Sequence, residues 1–510
     1  MTYRYITTPI YYVNDRPHLG HAYASVHADI MARYLRASGH QTMLLTGADE
    51  HGEKIAKAAM LANEAPCAFA DRHAQTFVEA WRRLSVEPDK FVRTTTPEHA
   101  KVVAECLSRL FEAGEIYLSD YEGLYSVGQE RFVTEKELVN GKLPEDKEPP
   151  VLRREPNYFF RMEMHRDWIR QLLLDSPDLI QPVQYRNEIL RLLEEPIGDL
   201  SISRPVNRLD WGIPIPWDAG HVTYVWFDAL LSYVSPLGYP DQPAFRNYWP
   251  SVRHVIGKDI LRTHTLFWLS MTHALGIAPY QCLHVSGHLL GSDGRKMSKS
   301  LGNGVDPLEA ADTYGVDALR YTLIREVSFG FDGIISNAVI EQRLNRDLAD
   351  DLGNLVARTL AMANKYRNGV VPAPKIYGAS EDVIIARASE LPSIVLELVD
   401  EMKLGRAAEQ VMDFVKHLNG YVASSAPWAL AKDPDASDKL NTVLYTLLEA
   451  IYSLSNLLHP VMPGKMHELK ILLGVSGKPC WNLPWGNGVK PGGHVKEGIL
   501  FPKRPGRDSA

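Results

Sequence analysis

The sequence predicts a chain of the α/β class, in which a parallel sheet carries an inserted segment and is followed by an all-α helical bundle. Three observations support this prediction. Residues 3–49 alternate strand, helix and strand, as the units of a parallel sheet do. Residues 114–222 interrupt the alternation with short mixed segments rich in proline and charge. From about residue 336 to about residue 473 the apolar residues recur at helical spacing, which indicates a separate bundle.

Length and composition are those of a globular protein with several domains. The chain has 510 residues, of which 45% are hydrophobic and 23% charged, and such a length suggests about three domains. The formal net charge of −7 excludes a uniformly basic nucleic-acid coat, although a basic patch on one face stays open. The 4 cysteines lie far apart without a CxxC pair, so neither a disulfide framework nor a zinc knuckle is predicted.

The sequence contains no segment that predicts a membrane or secretory location. No apolar run reaches the roughly 18 residues that a membrane span requires. The first residues, MTYRYITTPIYY, lack a charged region followed by an apolar one, so no signal peptide is predicted. We therefore expect a protein of the reducing cytoplasm.

The first fifty residues predict a βαβ unit. Residues 3–14 are β-branched and aromatic and predict a strand, residues 19–39 predict a helix that ends at Gly39, and residues 41–52 predict a second strand that ends in a polar loop. Parallel sheets bind ligands beyond the carboxyl ends of their strands. The candidate ligand-binding residues at these ends are His18, Gly20, His21 and Asp49.

The segment HLGH, residues 18–21, has the features of a nucleotide cradle. Its two imidazoles are three residues apart and share a helical face. The start of a helix presents free N–H groups and partial positive charge, which suit phosphate, and Gly20 lets a flat ligand approach the backbone. Two alternatives remain open from these residues alone: a zinc pair, for which no third ligand is marked, and two histidines that merely cap a helix.

A second constellation, KMSKS at residues 296–300, follows the last predicted strand of the sheet, residues 281–290, in a glycine-rich loop. Its lysines, Lys296 and Lys299, are three residues apart and can reach one anion, and lysine suits phosphates whose geometry changes during transfer. For an isolated motif of this kind, a solvated surface loop is the alternative. Its position after a sheet strand, together with HLGH, favours the phosphate interpretation.

Because it contains both HLGH and KMSKS, the chain resembles the methionyl-tRNA synthetase family of class I aminoacyl-tRNA synthetases. Further segments carry the resemblance in the family's order: TPIYYVNDRPHLGH, TGADEHGEKI, YVWFDALLSY, IGKDILRTHTLFW, NLVAR and APW. The resemblance implies a Rossmann-like catalytic domain with a connective insertion, a KMSKS linker and a helical anticodon-binding domain. The expected boundaries are 1–113 and 223–290 for the catalytic domain, 114–222 for the insertion, 291–345 for the linker, 346–473 for the bundle and 474–510 for a tail.

The resemblance also implies the reaction and its cofactor. Methionine attacks the α-phosphate of ATP, pyrophosphate leaves, and the methionyl adenylate passes methionine to tRNA(Met), the initiator included, with release of AMP. Mg²⁺ accompanies ATP. The residues expected at the catalytic and ATP-binding positions are His18, Gly20, His21, Gly257, Asp259, Lys296 and Lys299. Of these, Asp259 would accept hydrogen bonds from the ribose, whereas without the family a helix cap is its simpler interpretation.

A methionine pocket follows from the same resemblance. Asp49 would pair with the substrate ammonium, beside the carbonyl of Ile10. The wall around the thioether would consist of Tyr12, Trp226, Ala229, Tyr233, Ile260 and His264. Sulfur packs well on aromatic faces, although Trp226 and Tyr233 alone would be interpreted as core aromatics. Leu230 and Thr263 depart from the family's usual proline and aromatic residue, which leaves the shape of the pocket open.

The insertion and the chain's end depart from many relatives. Cysteine knuckles that bind zinc in those relatives would fall at Ser126, Gln129, Leu143 and Asp146, and none of these residues is a thiol. We therefore expect a metal-free insertion held by packing. Because the chain stops soon after LFPKRP, without the extra module through which some relatives dimerise, we also expect a monomer.

In the helical bundle the resemblance implies an anticodon site. Asn354 and Arg358 are four residues apart and share a helical face, and Trp428 lies in APW. RNA loops are recognised by aromatic stacking and polar edge contacts, so these residues suit the CAU anticodon. An interior Asn–Arg network under a core tryptophan is the alternative.

Three other functions remain as alternatives. A synthetase for another large apolar amino acid usually has a far longer insertion than residues 114–222. A catalytically silent tRNA-binding homologue is disfavoured by intact HLGH and KMSKS. A zinc hydrolase built on HLGH is the most distant.

Overall fold

The computed structural model describes residues 2–126, 131–133, 135, 138–143, 148–297, 302–477, 479–481 and 483–504. Its strands are β1 (Tyr3–Tyr12), β2 (Gln41–Asp49), β3 (Lys90–Arg93), β4 (Ile116–Ser126), β5 (Arg131–Val133), β6 (Val151–Phe160), β7 (Ile180–Gln181), β8 (Leu200–Ser201), β9 (Ser203–Pro205), β10 (Pro214–Ile215), β11 (Asp218–Thr223), β12 (Val252–Gly257), β13 (Cys282–Ser286), β14 (Leu289–Leu290) and β15 (Gly333–Ile334).

The helices follow the same chain order. They are α1 (Leu19–Ala37), α2 (Glu53–Leu61), α3 (Pro66–Arg83), α4 (Pro97–Glu112), α5 (Arg166–Asp175), α6 (Val183–Leu192), α7 (Val225–Leu231), α8 (Pro243–Tyr248), α9 (Trp268–Ala274), α10 (Pro307–Tyr314), α11 (Val316–Glu326), α12 (Asn337–Arg343), α13 (Asn354–Arg367), α14 (Ala379–Asp400), α15 (Leu404–Ser425), α16 (Pro427–Leu430), α17 (Ser437–Leu458) and α18 (Pro463–Leu472). Short 3-10 turns and two π-helical segments lie between some of them.

The central sheet confirms the predicted Rossmann-like α/β class. In the described part of the chain it has six strands in the order β3-β2-β1-β12-β13-β7, and every neighbouring pair is parallel. Because β1 pairs with β2 on one side and with β12 on the other, the strand order reverses at β1. Such a switch point is where open α/β sheets bind ligands, beyond the carboxyl ends of the strands. Tyr12 and Asp49 are neighbours at this end.

Two strand predictions need correction. β7 lies inside the predicted insertion 114–222, yet it pairs with β13 and completes the central sheet. A two-residue strand is too short to show any periodicity, so the sequence pattern could not reveal it. The predicted strand 281–290 is divided at Gly287, where a Cβ atom would lie 2.2 Å from the backbone carbon of Phe331. Beyond Gly287, β14 leaves the central sheet and pairs with β15.

The inserted segment forms antiparallel sheets of its own. Its described strands are ordered β5-β4-β6-β8 and β10-β11-β9, and the long pairing of β4 with β6 runs from Ile116 opposite Phe160 to Tyr125 opposite Val151. Buried residues of β6 and β8 join the core that lies on one face of the central sheet. The insertion therefore packs against this face of the sheet through apolar contacts.

The helical region from α12 to α18 is bonded to a buried ion pair between α11 and α1, on the other face of the sheet. Arg320 of α11 is fully buried, and its Nη2 donates to Asp29 Oδ2 of α1 at 2.6 Å and to the carbonyl of Pro460 at 3.0 Å. Its Nε donates to the carbonyl of Val461 at 2.9 Å. Breaking one side of such a pair leaves an uncompensated buried charge, so these bonds hold α1, α11 and the end of α17 together.

None of the helices in the described ranges combines the length and the apolar character that crossing a membrane would require.

Candidate active site

One cavity of about 1260 Å³ opens at the carboxyl ends of the central strands. It brings together all the predicted catalytic, ATP-binding and methionine-binding residues that the structure describes. They are Ile10, Tyr12, His18, Gly20, His21, Asp49, Trp226, Ala229, Tyr233, Gly257, Asp259, Ile260, His264 and Lys296. Lys299 lies outside the described residues.

The two HLGH histidines cap α1. Gly20 N donates to His18 Nδ1 at 3.1 Å, His18 N donates to His21 Nδ1 at 3.3 Å, and the two rings stack with their centroids 3.6 Å apart. Because each Nδ1 accepts a hydrogen bond, a neutral ring carries its proton on Nε2, which is then a donor. The two histidines therefore do cap the helix, as one alternative predicted. The same capping bonds leave both rings in a tautomer that can donate to phosphate.

Gly20 is required by the stacked histidines. A Cβ atom at this position would lie 3.0 Å from Cε1 and 3.2 Å from Nδ1 of His18. Real Cβ atoms seldom approach other atoms so closely, so a side chain here would require the imidazole to shift slightly. Glycine thus keeps the cradle open at the start of α1.

Asp259 is held as a carboxylate by its two neighbours, a histidine and a lysine. Its Oδ1 lies 2.6 Å from His288 Nε2 and 3.3 Å from Lys296 Nζ. Burial raises its pKa, but the hydrogen bond from His288 and the charge of Lys296 outweigh this and lower the pKa to about 2. The first lysine of KMSKS is thereby joined to the carboxylate expected at the ribose. His288 is not among the residues predicted from the sequence, where its position just after β13 was the one available signal.

The opposite end of the cavity is polar and uncharged around His264. His264 Nδ1 bonds to the carbonyl of Ile260 at 3.0 Å and therefore carries the proton, so Nε2 accepts from Tyr233 Oη at 2.8 Å. Burial lowers the pKa of His264 to about 4, and the ring is neutral at pH 7. Asp49, only 3% exposed, lies at the end of β2 as the acidic group of this end.

A second buried histidine, His254, packs against the ring of Tyr233. His254 of β12 accepts from Trp268 Nε1 on its Nε2 at 3.3 Å, so its Nδ1 donates to Thr7 Oγ1 at 2.7 Å. Its ring centroid lies 4.4 Å from that of Tyr233. His254 is not among the residues predicted from the sequence, because a histidine inside a buried strand has no local pattern that distinguishes it.

The two departures from the family pattern both line the cavity. Leu230 is 1% exposed, and Thr263 is 8% exposed at the start of a π-helical segment, Thr263–Phe267. Trp226 is half-buried and also faces the cavity. It is therefore not simply a core aromatic.

The structure describes two of the four insertion residues at which zinc ligands would fall in relatives. Ser126 and Leu143 are buried, whereas Gln129 and Asp146 lie outside the described residues. No group of three or more histidine, cysteine or acidic side chains in the described ranges could hold a metal ion. In the described residues, the insertion packs against the central sheet through buried apolar side chains.

The predicted anticodon residues lie at the surface of the helical bundle. Trp428 of α16 is 42% exposed, and the guanidinium of Arg358 lies 5.9 Å from its ring centroid. Asn354 is exposed and begins α13, one turn before Arg358. The alternative of an interior network under a core tryptophan is wrong, because a core residue would not expose this much of its ring.

Comparison with known proteins places most of the chain in one family. The family described as "tRNA synthetases class I (M)" matches residues 4–148 and 136–360, and "Anticodon-binding domain of tRNA ligase" matches residues 381–470. The methionine--tRNA ligase of Deinococcus radiodurans is 48% identical over 507 residues, which cover 98% of this chain and 74% of the relative. That of Thermotoga maritima is 39% identical over 512 residues, covering 99% and 81%.

Solved structures agree with the sequence relatives. The Mycobacterium tuberculosis methionyl-tRNA synthetase in complex with methionyl-adenylate is 37% identical and superposes with a TM-score of 0.94 over 98% of this chain and 100% of that one. The apo form of the same enzyme is 34% identical, with a TM-score of 0.88 over 99% of each chain. The match extends over the sheet, the insertion and the helical bundle together.

Proposed function

The chain belongs to the methionyl-tRNA synthetase family, and from this premise we propose that it ligates L-methionine to tRNA(Met) with ATP through a methionyl-adenylate intermediate. Pyrophosphate leaves in the first step and AMP in the second. The observation that carries the proposal is the single cavity that holds both a phosphate-binding end, with His18, His21 and Lys296, and an end with Asp49 and an uncharged wall. A ligand that fits both ends has an ammonium group, an apolar side chain and a nucleotide.

In the first step the residues around ATP act by positioning and by charge. His18 and His21 donate to the phosphates through Nε2, and Lys296 and Lys299 carry the positive charge that the departing pyrophosphate needs. Asp259, ionised at neutral pH, accepts hydrogen bonds from the ribose near Gly257. The attacking group is the substrate's own carboxylate, so a protein nucleophile is unnecessary, and fixed donors around the transferring phosphorus supply most of the catalysis. ATP enters as its magnesium complex, which is substrate rather than a resident cofactor.

Methionine is selected at the other end of the cavity. Asp49 pairs with the ammonium group beside the carbonyl of Ile10, and the thioether packs against Trp226, Tyr233 and their neighbours. Because His264 is neutral, Tyr233 donates its hydroxyl proton to it, and the wall presents no net charge to the sulfur. An uncharged aromatic wall favours a polarizable thioether and disfavours charged side chains, which would lose their hydration there.

The second step requires tRNA(Met), the initiator included, with its anticodon bound at Asn354, Arg358 and Trp428. The exposure of Trp428 and the proximity of Arg358 support this assignment, since stacking needs an accessible ring. We propose the cytoplasm as the location of this reaction.

ATP–pyrophosphate exchange with each amino acid in turn tests the activation step. We expect exchange with methionine and none of comparable efficiency with leucine, isoleucine or valine. Exchange that prefers one of these would favour a synthetase for another apolar amino acid. No exchange with any amino acid, while tRNA still binds, would favour the catalytically silent homologue.

We predict that the purified protein contains no stoichiometric zinc. The positions considered for a knuckle carry no thiolate, and structural zinc sites are usually closed by four cysteine or histidine ligands. Elemental analysis of protein prepared without chelators measures this directly. One zinc retained per chain after extensive dialysis would show that the insertion has a ligand set of another kind.

We also predict a monomer. The described residues of one chain line both the methionine end and the phosphate end of the cavity. Light scattering at micromolar concentration should give a mass near 57.3 kDa. Twice that mass, unchanged on dilution, would be the opposite result.

A further inference from the structure

A buried carboxylate lies directly behind the methionine end of the cavity. Asp228 of α7 is fully buried and is not among the described residues that line the cavity. Its Oδ2 is 2.5 Å from His51 Nδ1 and its Oδ1 is 2.6 Å from His99 Nε2. Each oxygen of the carboxylate therefore bonds to an imidazole from a different part of the chain.

The first imidazole belongs to the loop that follows Asp49. His51 is two residues beyond Asp49 and is 6% exposed. The residue between them, Glu50, is fully buried and bonds to Arg93 Nε at 2.6 Å, while its carbonyl accepts from Trp211 Nε1 at 2.6 Å. The loop after Asp49, the predicted ammonium-binding residue, is thus held by the hydrogen bonds of Glu50 and His51.

On its own helix, Asp228 lies between two residues of the thioether wall. Trp226 precedes it by two positions and Ala229 follows it, and both line the cavity. The second imidazole, His99 of α4, extends the connection through its Nδ1 to Ser235 Oγ at 2.8 Å, two residues beyond Tyr233. Asp228 consequently joins the ammonium side of the pocket to the part of the thioether wall that runs from Trp226 to Tyr233.

The electrostatics keep this connection intact at neutral pH. Burial raises the pKa of Asp228, but the charges and hydrogen bonds of His51 and His99 outweigh burial and lower it below the ordinary value. Asp228 is therefore a carboxylate that accepts from both rings. Charge-assisted hydrogen bonds of this kind are shorter and stronger than neutral ones and fix the orientation of their partners.

We propose that Asp228 is a positioning residue for methionine, which holds the Asp49 loop and the α7 wall at a fixed separation through His51 and His99. This inference rests on the proposed function, because it acts through Asp49, Trp226 and Ala229 rather than by contact with substrate. It predicts a specific defect. Loss of Asp228's charge should weaken methionine recognition and leave ATP recognition intact, since the described bonds of Asp228 lead to His51 and His99, behind the methionine end of the cavity.

The test compares Asp228→Asn with a matched control elsewhere in the fold. Asparagine preserves the shape of the side chain, but its amide group donates rather than accepts, so one imidazole loses its bond or must change tautomer. The control, Asp29→Asn, removes an equally buried carboxylate that bonds to Arg320 and Arg33 and does not line the cavity. Pyrophosphate exchange gives the KM values for methionine and ATP, and thermal unfolding gives the Tm of each variant.

We expect Asp228→Asn to raise the methionine KM by about tenfold, since small displacements of binding groups have effects of this order, with an unchanged ATP KM. Asp29→Asn should lower the Tm without changing either KM. An unchanged methionine KM in folded Asp228→Asn, or equal changes in both KM values, overturns the inference. Wild-type protein that shows no methionine-dependent exchange would instead overturn the proposed function.

A milder variant keeps the inference testable if Asp228→Asn does not fold. Ser235→Ala removes only the bond to His99 Nδ1 and leaves the bond between Asp228 and His99 Nε2 in place. It should raise the methionine KM in the same direction by about two- to threefold, the effect of one neutral hydrogen bond, again without a change in the ATP KM. A methionine KM equal to that of the wild type in this variant would likewise contradict the positioning role.

Discussion

Replacing Lys299 by alanine lowers the rate of methionyl-adenylate formation by roughly a hundred- to a thousandfold, the usual loss when one donor to developing charge is removed. Methionine binds the variant as it binds the wild type. The reason is that the lysine charge acts on the pyrophosphate as it departs, so the interaction is stronger in the transition state than in the ground state. Lys299 lies outside the described residues, and the prediction rests on the motif and on its neighbour Lys296, which reaches Asp259 at 3.3 Å.

Single-turnover adenylate formation and equilibrium methionine binding measure the two quantities separately. Arg295→Ala is the matched control, because it removes the same charge from the same loop, while Arg295 is exposed and bonded to Asp293. The control should retain nearly the wild-type rate. Equal losses of rate and of methionine affinity in Lys299→Ala would contradict the transition-state role.

Replacing Trp428 by alanine separates the two steps of the reaction. The loss of one base–aromatic stack costs about 1–3 kcal/mol, hence roughly five- to a hundredfold in tRNA affinity. Methionine activation needs no tRNA and should stay at the wild-type rate. Because the ring is 42% exposed, its removal should leave the Tm nearly unchanged.

Pyrophosphate exchange, tRNA charging and thermal unfolding on the same preparation distinguish this outcome from a structural one. Ile376→Ala serves as the control, since Ile376 is an apolar residue of the same helical region with 82% exposure and no predicted role. It should change none of the three measurements. A joint loss of activation and charging in Trp428→Ala, accompanied by a lower Tm, would contradict the anticodon assignment.

The sequence was sufficient for the class of fold and for the residues that lie next to strand ends. His18 and His21 lie at the start of α1, the helix that follows β1, and Asp49 is the last residue of β2. Local periodicity and the rule for parallel sheets therefore already placed them at one edge. The long helices from α12 to α18 were likewise readable, because an apolar stripe over many turns is a strong signal.

Partners that are distant in the chain could not be predicted in this way. His51 and Asp228 are 177 residues apart, and Thr7 and His254 are 247 residues apart. No local sequence pattern links the two members of either pair, and each bond exists only after the sheet has formed. The same reason explains the missed strand β7, whose two residues are recruited by β13 and show no pattern of their own.

The surface position of Trp428 was also beyond the sequence. Residues 426–428 come after a long helix, and there the chain turns through Ala426, whose φ of +42° is left-handed. The following helix, α16, has only four residues, too few for periodicity to define a buried face. Tertiary structure alone decides that the ring is exposed beside Arg358.

The most direct test of the central claim is the complete reaction on tRNA of defined anticodon. With ATP and methionine, the protein should charge a tRNA(Met) transcript that carries CAU and release AMP and pyrophosphate in amounts equal to the methionyl-tRNA formed. A transcript that differs only in its anticodon should be charged far more slowly, although methionine activation in the same tube is unchanged. Equal charging of both transcripts, or attachment of a different amino acid to the CAU transcript, would contradict the account.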